Sequence, residues 1–285
     1  MSKRKVVLTG AAGYLSGRML QVFRERYELV LLDIQSKNRD GEEVDGVVVT
    51  DLLSRDRDAY REYFRGADAV VHCAFIRTDR SDVDGYFSAE VGNVTMAYNV
   101  YHVCVEEGVR RAVIFSSNHA ADFYERLIWT DRMEFVTPDM RPLSDNLYGW
   151  AKASYEHLGF AFATGRVSGD RKLENVQLRI GAPREIVIDE GDSPPNLKKL
   201  HRRLGAYLSV RDQRQLVIKS IETENIEDEQ GVPFQIFYGI SGNTHRFWSL
   251  ANARKVIGYA PEDDSQILFA EVLAKSIEAA GENPG

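Results

Sequence analysis

Tyr148 and Lys152 are the residues whose types and spacing most directly suggest acid–base chemistry. Side chains four positions apart lie on the same face of a helix. A tyrosine phenol has a pKa of roughly 10 and is a poor base at neutral pH, but a neighbouring ammonium stabilises the phenolate and lowers that pKa. The pair can then act as a general base for the proton of an alcohol. Ser116 and Ser117 follow a predicted strand, and a serine there can hydrogen-bond the reacting hydroxyl.

A glycine pattern near the start of the chain, Gly10-x-x-Gly13, lies between a predicted strand and a predicted helix. A helix N-terminus presents free N–H groups and a positive dipole end, so it binds a pyrophosphate well. The third glycine of such loops is replaced here by the small residue Ser16. Asp33 ends the second predicted strand, where a carboxylate accepts hydrogen bonds from the ribose of NAD and repels the 2′-phosphate of NADP. The sequence therefore predicts NAD as the cofactor, with the Asp51-Leu52 pair near the adenine.

The elements that must position these residues alternate between strand and helix. Such alternation requires crossover connections and a parallel sheet, so we expect an α/β fold with a Rossmann-type doubly wound parallel sheet. Residues 1–181 would form the NAD-binding domain, and residues 182–285 a small substrate-binding portion that completes the sheet and belongs to the same compact unit. The predicted strands cover residues 6–8, 29–33, 69–73, 112–116, 176–181 and 234–240, and the predicted helices 15–23, 55–64, 91–107, 148–162, 196–206, 247–257 and 266–277.

Composition excludes several classes of function. The chain has 285 residues, 44% of them hydrophobic, and a net charge of −7, which disfavours nucleic acid as a partner. Cys73 and Cys104 are the only cysteines, and no histidines have metal-ligand spacing, so we expect no metal site. No stretch reaches 18 apolar residues, and the basic start is interrupted by glycines before it could form a signal sequence. We therefore expect a cytoplasmic protein that acts on a small molecule, without membrane contact.

Several motifs together resemble the extended short-chain dehydrogenases/reductases, the NAD-dependent epimerase/dehydratase superfamily. Two further stretches, Ser117-Asn118-His119 and the segment from Tyr238 to about residue 264, are similar to uronate dehydrogenases, which oxidise the ring C1 hydroxyl of hexuronic acids to an aldarolactone with NAD. The resemblance implies this activity here. The superfamily motifs are Thr9-Gly-Ala-Ala-Gly-Tyr-Leu, Asp33, Val71-His-Cys-Ala, Asn93, Ser116-Ser117, Tyr148-Gly-x-x-Lys152 and Leu178-Arg-Ile-Gly181.

The resemblance also implies roles for individual residues. Ser117, Tyr148 and Lys152 would be catalytic, and a homodimer would form through the helices near 91–107 and 148–163. The sugar would contact Arg77, Asn118, His119, Ala182 and Arg203. The cofactor would contact Gly10, Ala12, Gly13, Tyr14, Leu15, Asp33, Ile34, Asp51, Leu52, Cys73, Ala74, Phe75, Asn93, Tyr148, Lys152 and Ile180.

The chain departs from the uronate dehydrogenase pattern around the expected sugar site. Ala182 replaces a serine, the loop after the third predicted strand reads Ala74-Phe75-Ile76-Arg77, and the segment between His119 and Tyr148 is longer. That segment carries Trp129, Arg132 and Met133. A uronate needs a cation for its carboxylate, and the candidates are Arg77, Arg184, Arg202 and Arg203.

Three alternatives to a uronate dehydrogenase follow from these observations. The first is a nucleotide-sugar epimerase or dehydratase that retains its NAD. The second is a dehydrogenase of a neutral sugar or another small secondary alcohol. The third, a non-enzymatic NAD sensor, is disfavoured because the Ser117, Tyr148 and Lys152 set is intact.

Overall fold

A parallel seven-stranded sheet forms the centre of the protein in a computed structural model, which describes residues 3–187 and 196–282. The strand order is β3-β2-β1-β4-β5-β6-β7. The chain adds β2 and β3 on one side of β1 and then adds β4 to β7 on its other side, so the sheet is doubly wound as predicted. The strands are β1 Lys5–Thr9, β2 Glu28–Asp33, β3 Val47–Val49, β4 Ala69–His72, β5 Arg111–Ser117, β6 Glu174–Ile180 and β7 Phe234–Gly239.

Helices follow most strands and cover both faces of the sheet. Single 3₁₀ segments at Glu62–Phe64 and Asn118–Tyr124 add to them. The α-helices are α1 Tyr14–Arg26, α2 Asp58–Arg61, α3 Val83–Glu106, α4 Glu125–Ile128, α5 Leu147–Ala163, α6 Leu197–Ala206, α7 Val210–Glu222, α8 Ala251–Ile257, α9 Ser265–Leu268 and α10 Ala270–Glu282.

The predicted helix over 247–257 begins later than expected. Phe247 and Trp248 precede α8 in an extended segment, in which the Phe247 carbonyl accepts a 2.8 Å hydrogen bond from the Val136 N–H. Val136 in turn accepts one from the Ser249 N–H. The apolar residues of this stretch are therefore buried by pairing with a distant loop, which the local pattern could not show.

Alternate strand residues divide between two hydrophobic cores. Val6 and Leu8 of β1 pack in one core with α1 and α7, whereas Val7 packs in the other with α3 and α5. This is the arrangement expected of a parallel sheet covered on both faces. It also places the carboxyl ends of all strands along one edge, where ligands bind in such folds.

The segment after β6 is hydrogen-bonded to the first helix. The Tyr14 hydroxyl donates to the Pro183 carbonyl at 2.8 Å, and the Arg18 guanidinium donates to the carbonyls of Pro183 and Leu208. β7 pairs with β6 along its whole length. The C-terminal third of the chain therefore shares the sheet and the core of the N-terminal part, while a domain boundary at residue 181 stays a prediction.

No helix within residues 3–187 and 196–282 is long and apolar enough to cross a bilayer.

Candidate active site

The turn between β1 and α1 has the geometry that phosphate binding requires. Gly10 has a φ of +67°, and a Cβ there would lie 2.5 Å from the backbone N of Ala74, so another residue would be both strained and obstructed. α1 starts directly after Gly13, which leaves its first N–H groups at the sheet edge. The Ala12 N–H donates a 2.9 Å hydrogen bond to Oδ2 of Asp33. The glycine loop and the acidic end of β2 therefore form one continuous site.

The other residues predicted to bind the cofactor lie along the same edge. Ile34 follows Asp33 and exposes 64% of its surface, so it offers an apolar surface next to the Asp33 carboxylate. Asn93 on α3 is buried and contacts the segment that follows β4. The remaining residues begin α1 or lie at the ends of β3, β4 and β6: Tyr14, Leu15, Asp51, Leu52, Cys73, Ala74, Phe75 and Ile180.

Ser117, Tyr148 and Lys152 are brought together, as the sequence predicted. Ser117 ends β5, and Tyr148 and Lys152 lie on successive turns of α5, whose N-cap is the Asn146 side chain. The Lys152 Nζ donates a 3.0 Å hydrogen bond to the Phe115 carbonyl and lies 5.6 Å from the centre of the Tyr148 ring. Their catalytic roles stay a proposal.

Burial dominates the acid–base properties of this group. It raises the pKa of Tyr148 above its ordinary value, against the opposing effects of the Ser117 hydroxyl and the Arg80 cation. It lowers the pKa of Lys152 to about 8. The pKa of Tyr148 is therefore raised overall, and not lowered as predicted, because removing the phenolate from water costs more than its charged neighbours return.

His119 lies between Tyr148 and an acidic residue. The rings of His119 and Tyr148 meet edge to face with centres 5.5 Å apart. The His119 Nδ1 lies 2.5 Å from Oδ2 of Asp122, which also accepts a 3.1 Å hydrogen bond from the Asn146 amide. Gly149 permits this close packing, because a Cβ there would collide with the His119 carbonyl. Asp122 thereby fixes the orientation of the imidazole beside Tyr148.

An open cavity of about 370 Å³ is lined by His119. Its size suits a small ligand such as a monosaccharide. Arg202 of α6 contributes a guanidinium whose Nε donates 2.8 and 3.0 Å hydrogen bonds to the two carboxylate oxygens of Glu125. The residues that line the cavity are His119, Asp122, Phe123, Glu125, Arg126, Trp129, Asp145, Lys198 and Arg202.

The predicted sugar-contacting residues are distributed unevenly around this cavity. His119 lines it, and Asn118 is buried next to it. Arg203 instead donates a 3.3 Å hydrogen bond from Nη1 to the Val187 carbonyl. Arg77 is exposed on the loop after β4, and the backbone of Ala182 is hydrogen-bonded to the end of α6. Among the described arginines, Arg202 is therefore placed better than Arg203 to meet a ligand beside His119.

Residues 6–166 of the chain match the NAD dependent epimerase/dehydratase family. The chain belongs to this family. Two relatives match nearly the whole chain, each at 30% identity. The NAD-dependent glucose-6-phosphate dehydrogenase of Haloferax volcanii covers 91% of this chain and 94% of its own length. The uronate dehydrogenase of Pseudomonas putida covers 97% and 90%, respectively.

Solved structures of the same family confirm the fold. The glucuronic acid dehydrogenase of Chromohalobacter salexigens superposes with a TM-score of 0.72 at 22% identity, covering 95% of this chain and 89% of its own. The uronate dehydrogenase of Agrobacterium tumefaciens gives 0.71 at 24% identity, covering 96% and 90%. The predictions of an extended short-chain dehydrogenase/reductase fold and of an NAD-dependent oxidoreductase are confirmed.

Family membership and local geometry agree on the cofactor, which is NAD. The Gly10 turn accommodates close backbone approach, and Asp33 stands where the adenosine ribose of such a cofactor is bound. When bound, NAD supplies the hydride acceptor at the edge where Ser117 and Tyr148 lie.

Sequence reasoning missed three residues around Tyr148 and the cavity. Asp122 and Glu125 follow His119 at spacings of three and six, and this helical spacing was the signal that could have revealed them. Arg80, whose guanidinium carbon lies 5.5 Å from the centre of the Tyr148 ring, was also missed in favour of Arg77. Both arginines belong to one loop after β4, so only the path of that loop distinguishes them.

Proposed function

We propose that this enzyme oxidises the C1 hydroxyl of a free cyclic sugar to a lactone and transfers the hydride to NAD. The observation that carries the proposal is the position of Tyr148. Its ring lies 5.6 Å from the Lys152 ammonium on one side and 5.5 Å from the His119 ring on the other. His119 in turn lines a cavity of monosaccharide size, so the acid–base residue is next to a sugar-sized site.

The chain's own residues account for the proton and for the orientation of the alcohol. Tyr148, as phenolate, accepts the proton of the C1 hydroxyl while the hydrogen on C1 leaves as hydride. The Ser117 hydroxyl holds the reacting oxygen, and the buried Lys152 cation stabilises the phenolate. Fixing alcohol and acceptor in one geometry supplies much of the rate acceleration.

A hexuronic acid is the substrate class that the sequence predicts, and its carboxylate would need Arg202. A neutral aldose is the second candidate, and one specific observation favours it: the Arg202 guanidinium is already paired with Glu125. A relative of each kind exists, since an L-arabinose 1-dehydrogenase (NAD(P)(+)) of Haloferax volcanii is 28% identical over 92% of this chain and 97% of its own length.

We further propose that the protein forms a homodimer through α3 and α5. Apolar side chains of these helices are exposed, and the rings of Phe87 and Trp150 stack at 5.7 Å across the two helices. Val91, Tyr98 and Phe160 are also more than a third exposed. Exposed apolar side chains grouped on two neighbouring helices favour a protein interface, and a second copy would cover them symmetrically.

The direct test is NADH formation, followed by absorbance, from NAD and a panel of free uronic acids, neutral aldoses and small secondary alcohols. We expect turnover with a sugar, and loss of that turnover in Tyr148→Phe with NAD binding preserved. Full activity of Tyr148→Phe would refute the mechanism. Turnover restricted to non-sugar alcohols would refute the substrate class, and silence throughout with tightly retained NAD would favour a nucleotide-sugar epimerase or dehydratase.

A further inference from the structure

We infer that Asp122 and Glu125 make the cavity select uncharged sugars over sugar carboxylates, by engaging the partly buried Arg202 guanidinium that a sugar carboxylate would use. The inference rests on the proposed function and decides between its two substrate classes.

Arg202 is held from two directions. Its Nε donates to both carboxylate oxygens of Glu125, and its Nη2 lies 3.5 Å from Oδ1 of Asp122. Glu125 and Asp122 expose only 13% and 12% of their side chains, and Arg202 29%, so these ion pairs are poorly screened by water. A substrate carboxylate would have to displace Glu125 or be placed against two fixed carboxylates.

The other cations of the cavity cannot replace Arg202, because they are exposed to water. Arg126 and Lys198 are exposed, and their charged groups lie over the rings of Phe123 and Trp129. The exposed carboxylate of Asp145 offsets them further. Charges in contact with water interact weakly with a ligand. Among the described residues, the less exposed charged groups of the cavity, which we call its inner wall, are therefore the two carboxylates of Asp122 and Glu125 and the guanidinium of Arg202.

The same inner wall suits the hydroxyl groups of a neutral sugar. Carboxylates are strong acceptors for O–H donors, and each has more lone-pair sites than its present partners occupy. Asp122 binds the His119 ring and the Asn146 amide through Oδ2, which leaves Oδ1 facing Arg202 at 3.5 Å. Trp129, packed edge to face on Phe247, adds an aromatic surface for the apolar face of a pyranose.

The test compares kcat/KM for glucose, galactose and arabinose with kcat/KM for glucuronate and galacturonate. We expect the protein to prefer the neutral sugars, and Glu125→Gln to shift the ratio toward the uronates by about tenfold, the effect of one modest charge interaction. Asp122→Asn should shift the ratio the same way. Glu229→Gln, an exposed carboxylate on the loop before β7, is the matched control and should leave the ratio unchanged.

A uronate preference in the unaltered protein, or an unchanged ratio in both Glu125→Gln and Asp122→Asn with normal melting temperatures, would overturn the inference. The double variant Glu125→Gln/Arg202→Met should lose the gained uronate activity, because the freed guanidinium is what the carboxylate binds. If no sugar is oxidised, the proposed function fails separately. The preference for uncharged sugars is then tested by calorimetric titration of glucose and of glucuronate with NADH present. Tighter binding of glucose supports the inference, and tighter binding of glucuronate, or no binding of either sugar, refutes it.

Discussion

Asn93 binds both backbone polar groups of Ile76: its Oδ1 accepts a 2.7 Å hydrogen bond from the Ile76 N–H, and its Nδ2 donates to the Ile76 carbonyl at 3.2 Å. A helix residue therefore fixes the path of the loop that follows β4. Phe75 precedes Ile76 and packs edge to face on Tyr148 with ring centres 5.5 Å apart. The Asn93 amide thus fixes the loop that packs against Tyr148.

Replacing Asn93 by Leu should release this loop. Two backbone groups would lose their partner, at a cost of about 1–3 kcal/mol for each group that stays buried. We expect weaker NAD binding by about tenfold, measured by calorimetric titration, together with a lower melting temperature. Glu229→Gln, at an exposed position on the loop before β7, should change neither quantity. Normal NAD affinity in Asn93→Leu would show that the loop holds its path without the amide.

Lys152 should impose a limit on the pH dependence of oxidation. Its pKa is lowered to about 8 by burial, so its charge is present below that pH and is lost above it. The Tyr148 phenolate becomes more populated with rising pH, but the cation that stabilises it disappears above about pH 8. We therefore expect the rise of kcat/KM with pH to level off near pH 8.

The variant Lys152→Arg tests this interpretation, since a guanidinium stays charged throughout the range. Its activity should be lower, because the geometry of the bond to the Phe115 carbonyl changes, but the inflection near pH 8 should be absent from its profile. Lys172→Arg, whose Nζ binds the Gly231 carbonyl at the surface, is the control. An inflection that persists in Lys152→Arg belongs to another group.

Glu156 and Arg179 form a buried ion pair that joins α5 to β6. Arg179 donates through Nε and Nη2 to the two Glu156 oxygens, each at 2.8 Å, and the Ser116 hydroxyl donates to the same carboxylate at 2.9 Å. Glu156→Ala leaves a buried guanidinium unpaired and should lower the free energy of unfolding by about 3–5 kcal/mol. Denaturant titration measures this loss. The double variant Glu156→Leu/Arg179→Met should be more stable than Glu156→Ala, because it leaves no unpaired buried charge. A less stable double variant would show that the unpaired Arg179 charge is not the main cause of the loss in Glu156→Ala.

The apolar surface of α3 and α5 predicts the assembly state. Trp150→Asp places a charge at the stacked Phe87–Trp150 pair and should convert a homodimer into monomers in sedimentation velocity runs at micromolar protein. Ile267→Asp, at a residue on α9 that is 76% exposed, should leave the assembly unchanged. A monomer before any substitution would contradict the dimer proposal.

The sequence predicted the parts of the fold that local patterns encode. Apolar runs located six strands, but Val47–Val49 was missed because three residues at a sheet edge are too few for a period. The α7 helix was missed for another reason. Its buried face includes Asp212, Gln213 and Ser220, which interrupt the apolar repeat that indicates a helix.

The sequence predicted the site residues that follow a strand end or share a motif, but it could not predict which side chains of a helix face the cavity. Ser117, Tyr148 and Lys152 follow from motif and spacing. Arg202 and Arg203 are neighbours in sequence, yet about 100° of helix rotation separates them, and only the packing of α6 decides which one faces His119. The Tyr148 pKa was predicted in the wrong direction because burial is a tertiary property.

The bonds from Tyr14 and Arg18 to the segment after β6 have a consequence for ligand affinity. α1 provides the N–H groups that receive the cofactor, and the same helix holds the Pro183 and Leu208 carbonyls on either side of α6, which carries Arg202. A dinucleotide that stiffens the first turn of α1 also stiffens the support of the sugar cavity. We therefore expect the two binding events to be thermodynamically coupled, with each ligand raising the affinity for the other by the same factor.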